Sequence, residues 1–319
     1  MSLLTPVKLR HLGASGLIVS ELGFGTTTLG EAVHGDEAVA LVHHAISAGI
    51  TYFDTAVTYS GGRSEELLGK AIAGHRDEVV IGTKVGLRGP GEPESSYGLS
   101  RRRIMEAIEI SLRRLGTDHV DLYMAHRPDP TTPIEETLEA MDRLVQGGKV
   151  RYAGGSNYTA LQMKQAITYA NDHGIAPWAC AQNKWNLIDG LDDPTLIDAS
   201  RALGFGIIPY QPLASSVLTG KYRLGEEPPK GTRAGDFARF RPDVTNVRLE
   251  AVERLRPWAA ERGHTLAELG IAWLLAHEVC ATVIVGLRTA TQIDDNVRAT
   301  EWRLTADERD DARRLAHGV

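Results

Sequence analysis

Residues 49–72 read GITYFDTAVTYSGGRSEELLGKAI. A short apolar run, Thr51-Tyr52-Phe53, ends on a carboxylate, Asp54, and a phenol, Tyr59, follows five residues later in a loop of Ser and Gly. A helical pattern then begins. The stretch is one strand–loop–helix unit with polar chemistry at the carboxyl end of its strand, and the same unit recurs along the chain. Apolar runs at 21–25, 51–54, 79–84, 119–125, 150–155, 178–182, 206–209 and 282–285 alternate with longer stretches of 3.6-residue spacing. Start and stop signals agree with this: Asp36 as cap of 37–48 before Gly49, Ser100 as cap of 101–115 before Gly116, and Thr289 opening a helix to about Arg298. Eight such alternations predict an α/β fold, a (β/α)8 TIM barrel, with a doubly wound parallel sheet as the alternative.

Three segments break the alternation. Residues 7–19 (VKLRHLGASGLIV) read as an N-terminal β-hairpin turning at Gly-Ala-Ser-Gly. Residues 86–98 and 222–247 are long Gly/Pro-rich loops, expected at the carboxyl-end face and functional. All 319 residues are expected to form a single domain. A net charge of −6 disfavours a nucleic-acid partner. The two cysteines, Cys180 and Cys280, sit in apolar contexts and read as buried thiols of a cytoplasmic protein. No signal-peptide pattern opens the sequence, no apolar run is long enough to span a membrane, and the eleven histidines show no zinc spacing, so no metal is expected.

In a barrel of this kind, reacting groups sit at the carboxyl ends of strands. Here those ends carry Asp54 with Tyr59, Lys84, His126, Ser156-Asn157, Gln182 and Tyr210. A phenol of pKa about 10 exchanges protons poorly near neutrality. An ammonium at roughly 4 Å in an effective dielectric of about 20 contributes about 4 kcal/mol, up to about three pKa units. Lys84 so placed is expected to bring Tyr59 toward working pH, with Asp54 as the carboxylate a buried lysine requires and His126 as donor to a carbonyl oxygen. Taken singly, each residue has a duller reading: Asp54 as a helix cap, His126 as a turn histidine, Tyr59 as surface. Their joint placement is what points to chemistry.

At this point the chain resembles the aldo-keto reductases, from LGASGLIVSELGFGT near its start to VGLRTATQIDDN near its end. The resemblance implies a catalytic tetrad of Asp54, Tyr59, Lys84 and His126 and an NADPH/NADP+ cofactor across the barrel mouth. It assigns the nicotinamide amide to Ser156, Asn157 and Gln182, and the stacking ring to Tyr210. The pyrophosphate falls to Gln211, Pro212, Leu213, Ala214 and Ser215 with Lys221, and the adenosine 2′-phosphate end to Gly286, Arg288, Gln292, Asp295 and Asn296. Thr26 and Thr27 are placed near the cofactor. Arg233 has two readings, an exposed loop charge or a cofactor contact. The helix start after Arg288 independently suits a phosphate, which favours NADP(H) over NAD(H).

The implied activity is reduction of an aldehyde or ketone, a small-molecule carbonyl substrate. Trp185, Tyr97 and Phe237 are expected to shape the pocket with the two long loops. The stretch RPDPTTPIEETLEAM is similar to the potassium-channel β subunits of the same superfamily. That resemblance implies a second function, a cofactor-bound regulatory subunit with little turnover, and a homo-oligomer (tetramer or octamer). In those relatives the tetrad histidine is often Asn, so His126 favours catalysis. A third reading is a barrel lyase or isomerase without a nicotinamide.

Overall fold

The computed structural model describes residues 7–89, 91 and 93–319. The chain opens on the expected hairpin, β1 (Leu9–His11) antiparallel to β2 (Ile18–Ser20). A run of strands and helices follows: β3 (Leu22–Gly25), α1 (Gly35–Ser47), β4 (Tyr52–Asp54), α2 (Arg63–Ile72), β5 (Val80–Val85), α3 (Arg101–Leu115), β6 (Val120–Ala125), α4 (Ile134–Gln146), β7 (Val150–Ser156), α5 (Ala160–His173) and β8 (Cys180–Asn186). The two-residue β9 (Gly190–Leu191) lies antiparallel on the end of β8 and was not expected. Then come α6 (Leu196–Leu203), β10 (Gly206–Tyr210), α7 (Arg233–Asp236), α8 (Asn246–Glu261), α9 (Leu266–Leu275), β11 (Val283–Gly286), α10 (Ala290–Ala299) and α11 (Ala306–His317).

The parallel strands run in sequence order from β3 to β10, and the last of them, β11, pairs with the first, β3. A doubly wound sheet would instead reverse its strand order at a switch point. First-to-last pairing requires the sheet to curl. At the remaining seam, Ile207 bridges Cys280, with Ile207 N donating to Val279 O (2.8 Å) and Ala281 N to Ile207 O (2.9 Å), rather than a continuous ladder.

Two cores follow from the strand alternation. One face of each strand packs on the helices. The other face gathers Tyr52, Leu122, Met124, Cys180, Ile208 and Ile284, from five different strands, into one inner cluster. Hairpin residues Leu12, Leu17 and Val19 join that cluster and plug its amino-end side, leaving the carboxyl end for the site. Each fully buried aliphatic side chain contributes about 1.5–3 kcal/mol.

Ser100 caps α3 and Thr289 caps α10, each accepting an amide proton three residues on. Asp36 does not cap α1: that helix starts at Gly35, two residues earlier than expected, behind His34, and Asp36 lies in its first turn, where a carboxylate meets the positive end of the dipole. Both cysteines are buried free thiols. In the 86–98 loop, Pro90 and Glu92 lie outside the described residues, as do residues 1–6. Among the described residues no helix is long and apolar enough to cross a membrane.

Candidate active site

β4 and β5 are neighbours in register, and their carboxyl ends place Asp54 beside Lys84. Lys84 is wholly buried, and its ammonium donates to Asp54 Oδ2 (2.6 Å), Thr55 O (2.8 Å) and the Tyr59 hydroxyl (3.4 Å). Three acceptors match the three protons of an ammonium, which is what its burial demands. Asp54 is held in turn by Gln182 Nε2 (2.8 Å) and the Tyr52 hydroxyl (3.3 Å), both on Oδ1. Tyr52 has room because residue 82 is glycine: a Cβ there would come within 2.5 Å of the Tyr52 hydroxyl. The loop carrying Tyr59 is fixed by the Tyr59 amide on Ala56 O (3.0 Å) and by Arg114 Nη1 on Val57 O (2.8 Å).

The electrostatics depart from the expectation for Tyr59. Burial raises the pKa of its hydroxyl, Lys84 pulls it down, and Asp54 adds to the rise, so the net shift is upward from the ordinary phenol value. The difference from the expected lowering is the desolvation of the phenolate, which outweighs the pull of the ammonium. Burial alone would push the Lys84 ammonium down, but the Asp54 carboxylate and Tyr59 outweigh it, and its pKa is raised.

His126 faces Tyr59 edge-on, with ring centroids 5.9 Å apart. Burial first, then the charges of Lys84 and Arg127, lower its pKa to about 3, so the ring is neutral. Among the described residues its Nδ1 is buried without a partner, which leaves Nε2 as the nitrogen toward the cavity. The His126 carbonyl accepts from Asn157 Nδ2 (2.8 Å), and Asn157 Oδ1 accepts from the Tyr210 hydroxyl (2.7 Å), tying three strand ends together.

These groups open on a cavity of about 330 Å³ whose lining also includes Thr27, Ser156, Gln211, Leu213, Ser215, Ser216, Arg233 and Gly286. A larger cavity of about 800 Å³ adjoins it, sharing Thr27, Tyr59 and Arg233 and reaching Glu31, His34, Arg63, Arg239 and Phe240. The far side of the first cavity has an unusual backbone that could hold an anion. Gln211, Ala214, Ser215 and Ser216 all have positive φ (54°, 47°, 56° and 75°), a backbone nest that four non-glycine residues adopt only at a conformational cost. Among the described residues, the amides of Leu213, Ser215 and Ser216 have no acceptor, and the Ser215 hydroxyl is buried without a partner.

Cations cluster alongside. Burial, then Arg288 and Arg233, lower the pKa of Lys221; burial, then Arg288 and Arg239, lower that of Arg233. Arg233 lies 3.9 Å over the ring of Phe240 and Arg288 5.4 Å from that of Phe237, while Arg239 pairs with Glu31 across from the loop after β3. Like charges held together in partial burial fit a polyanionic ligand such as a dinucleotide phosphate. At the start of α10 the amides of Ala290 and Thr291 are unpartnered among the described residues, beside Arg288.

Several expected residues have contacts of their own within the protein. Thr26 does not reach the cavity: its hydroxyl donates to Asp54 O (3.0 Å) and meets Ser64, locking β3 to β4 and α2. Ala214 is buried in the nest behind the lining, Asp295 pairs with Arg298, and Gln292 Oε1 accepts from the Arg288 amide (2.9 Å). Asn296 is buried on the same helix. Trp185 does not shape the pocket; it packs on Trp273 and His277 in the outer core. Phe237 belongs with Arg288 and Arg239 in the cation cluster. Tyr97 is 41% exposed. Tyr52, Arg127, Ser216 and Arg239 also belong to the site or line its cavities, and none was expected there from sequence. Alternation on β4 puts Tyr52 on the same face as Asp54, which is the signal that would have found it.

A family model described as "Aldo/keto reductase family" matches residues 21–316. A protein of Oryza sativa subsp. japonica named "Probable voltage-gated potassium channel subunit beta" is 36% identical over 299 residues, covering 92% of this chain and 90% of its own length. A protein of the same name from Arabidopsis thaliana is 36% identical over 300 residues, with the same coverage. A "Putative voltage-gated potassium channel subunit beta" of Schizosaccharomyces pombe is 34% identical over 311 residues, covering 93% of this chain and 89% of its own length.

Proposed function

Because the chain belongs to the Aldo/keto reductase family, we propose that it reduces an aldehyde or ketone to the alcohol with NADPH, Tyr59 supplying the proton. The fold reading that goes with this is a closed (β/α)8 barrel, supported by the β11–β3 ladder and the hydrogen bonds at the β10–β11 seam. The observation that carries the functional reading is the hydrogen-bonded set Asp54–Lys84–Tyr59 with neutral His126 opposite, at the mouth of a cavity whose far side is cationic.

NADPH, when bound, would supply a hydride for the carbonyl carbon. The nest at 211–216 with Lys221 would hold its pyrophosphate, and Arg288 and the start of α10 its 2′-phosphate. Ser156, Asn157 and Gln182 would orient the nicotinamide amide, and Tyr210 would contact the nicotinamide ring. Tyr59 keeps its proton at neutral pH and passes it to the carbonyl oxygen as negative charge develops there. Lys84 favours the phenolate left behind, and Asp54 keeps Lys84 charged and aimed. His126 offers Nε2–H to the same oxygen. The test is NADPH consumption with a panel of aldehydes and ketones, followed by loss of its absorbance.

A second reading is favoured by the names of the relatives: a cofactor-bound subunit of a channel, with little turnover. It predicts tight NADPH binding and no consumption with any carbonyl.

A further inference from the structure

We propose that Arg127 selects carbonyl substrates that carry an anionic group, a carboxylate or a phosphate. This rests on the reductase reading and names the substrate class of that site. Arg127 follows His126 directly and lines the same cavity as Tyr59 and His126. Its side chain is exposed at the rim, and among the described residues its guanidinium has neither an ion pair nor a hydrogen-bond partner. Its charge is felt at the reacting end, by the His126 imidazole and the Tyr210 hydroxyl.

The nearby carboxylates do not neutralise it. Asp129 is taken up by the Leu99 amide and by Thr131 and Thr132. Asp192, whose charge also reaches Tyr210, forms no ion pair with Arg127. The cofactor phosphates do not account for it either. The cations assigned to them follow β10 and β11, whereas Arg127 follows β6, which lies four strands from β11 in the sheet order. A guanidinium left unpaired beside the acid end of the site is matched to an anion arriving with the substrate, since its planar fork accepts a carboxylate or phosphate through two parallel hydrogen bonds. A role limited to holding His126 neutral would affect every substrate alike, which separates the two accounts.

The experiment compares kcat/KM for two matched pairs, 4-carboxybenzaldehyde with its methyl ester and a phosphate-bearing aldehyde with its dephosphorylated form. Arg127→Gln and Arg127→Lys are measured beside the native chain. Benzoate and benzamide are also titrated into the protein saturated with NADP+. The expected result is a preference of about tenfold or more for at least one anionic member. The preference should lie mainly in KM, fall to about unity in Arg127→Gln, return in part in Arg127→Lys, and weaken with added salt. Which pair shows it distinguishes carboxylate from phosphate. Equal kcat/KM within both pairs in the native chain, or equal losses for charged and neutral members in Arg127→Gln, overturns the proposal. Were no carbonyl reduced at all, the reductase reading would fall by itself. Arg127-dependent binding of benzoate over benzamide would then still support the anion site, and its absence would reject it.

Discussion

The Lys84 ammonium lies 2.6 Å from Asp54 Oδ2, with side-chain exposures of 0% and 5%. Removing one partner strands the other in a low-dielectric interior, a loss of about 3–5 kcal/mol. Asp54→Asn should lower stability by that order in urea unfolding. Lys84→Met should lower it less, because Asp54 keeps the bonds from Gln182 and Tyr52. The double variant should fall well short of the sum. Additive losses would mean that the pair is not coupled.

The pH dependence of reduction follows from two shifts with causes already given. The Tyr59 pKa is raised and that of His126 is lowered to about 3. The proton donor therefore stays loaded, and the imidazole neutral, across the neutral range. Initial rates at saturating NADPH should be flat between about pH 6 and pH 9, declining only where the phenol ionises. An inflection near pH 7 that vanishes in Tyr59→Phe would restore the lower phenol pKa expected from sequence.

Acid stability has its own sign. His126 and His277 are both held near pKa 3 in the folded chain, mainly by burial, against about 6.5 when unfolded. The unfolded state therefore binds more protons between those values. The stability is fully present above about pH 6.5 and is lost as pH falls toward 3, by about 1.4 kcal/mol per pH unit for each ring. Melting temperatures from pH 7 down to pH 4 should show the fall, and His277→Gln should reduce its slope. A slope unchanged in that variant would contradict the assignment.

Arg288 stands beside the start of α10 without a carboxylate partner among the described residues. Arg288→Ala should weaken NADPH binding about 10–100-fold, the range of a charge-assisted contact to phosphate, while changing NADH binding by less than about threefold. Fluorescence titration with both cofactors measures the ratio. Equal losses for NADPH and NADH would move the 2′-phosphate elsewhere.

Much of the architecture was legible because β/α alternation is written in periodicity and caps. The eight runs at 21–25 through 282–285 each become a parallel strand within a residue or two, except that β8 starts at Cys180 and runs on to Asn186. The gathering of the candidate residues at strand ends was legible because those ends are fixed once the strands are. What was missed depends on facing and burial. Trp185 shares its face of β8 with Ala181, in the core under the helices, whereas Gln182 shares the opposite face with Cys180, so strict alternation would have sent Trp185 outward. The Tyr59 shift needed the depth of the phenol, which no motif encodes. The 222–247 loop was expected to be functional, but its pairing of Arg239 with Glu31 and the placing of Phe237 by Arg288 join segments roughly 200 and 50 residues apart, beyond any local pattern.

The most direct test of the account is Tyr59→Phe, with NADPH affinity and carbonyl-dependent NADPH consumption measured on the same preparation. The account predicts an affinity within about twofold of the native chain and a turnover reduced by at least about a hundredfold, the usual share of a positioned proton donor. Consumption retained near the native rate in that variant, with the cofactor bound, would contradict it.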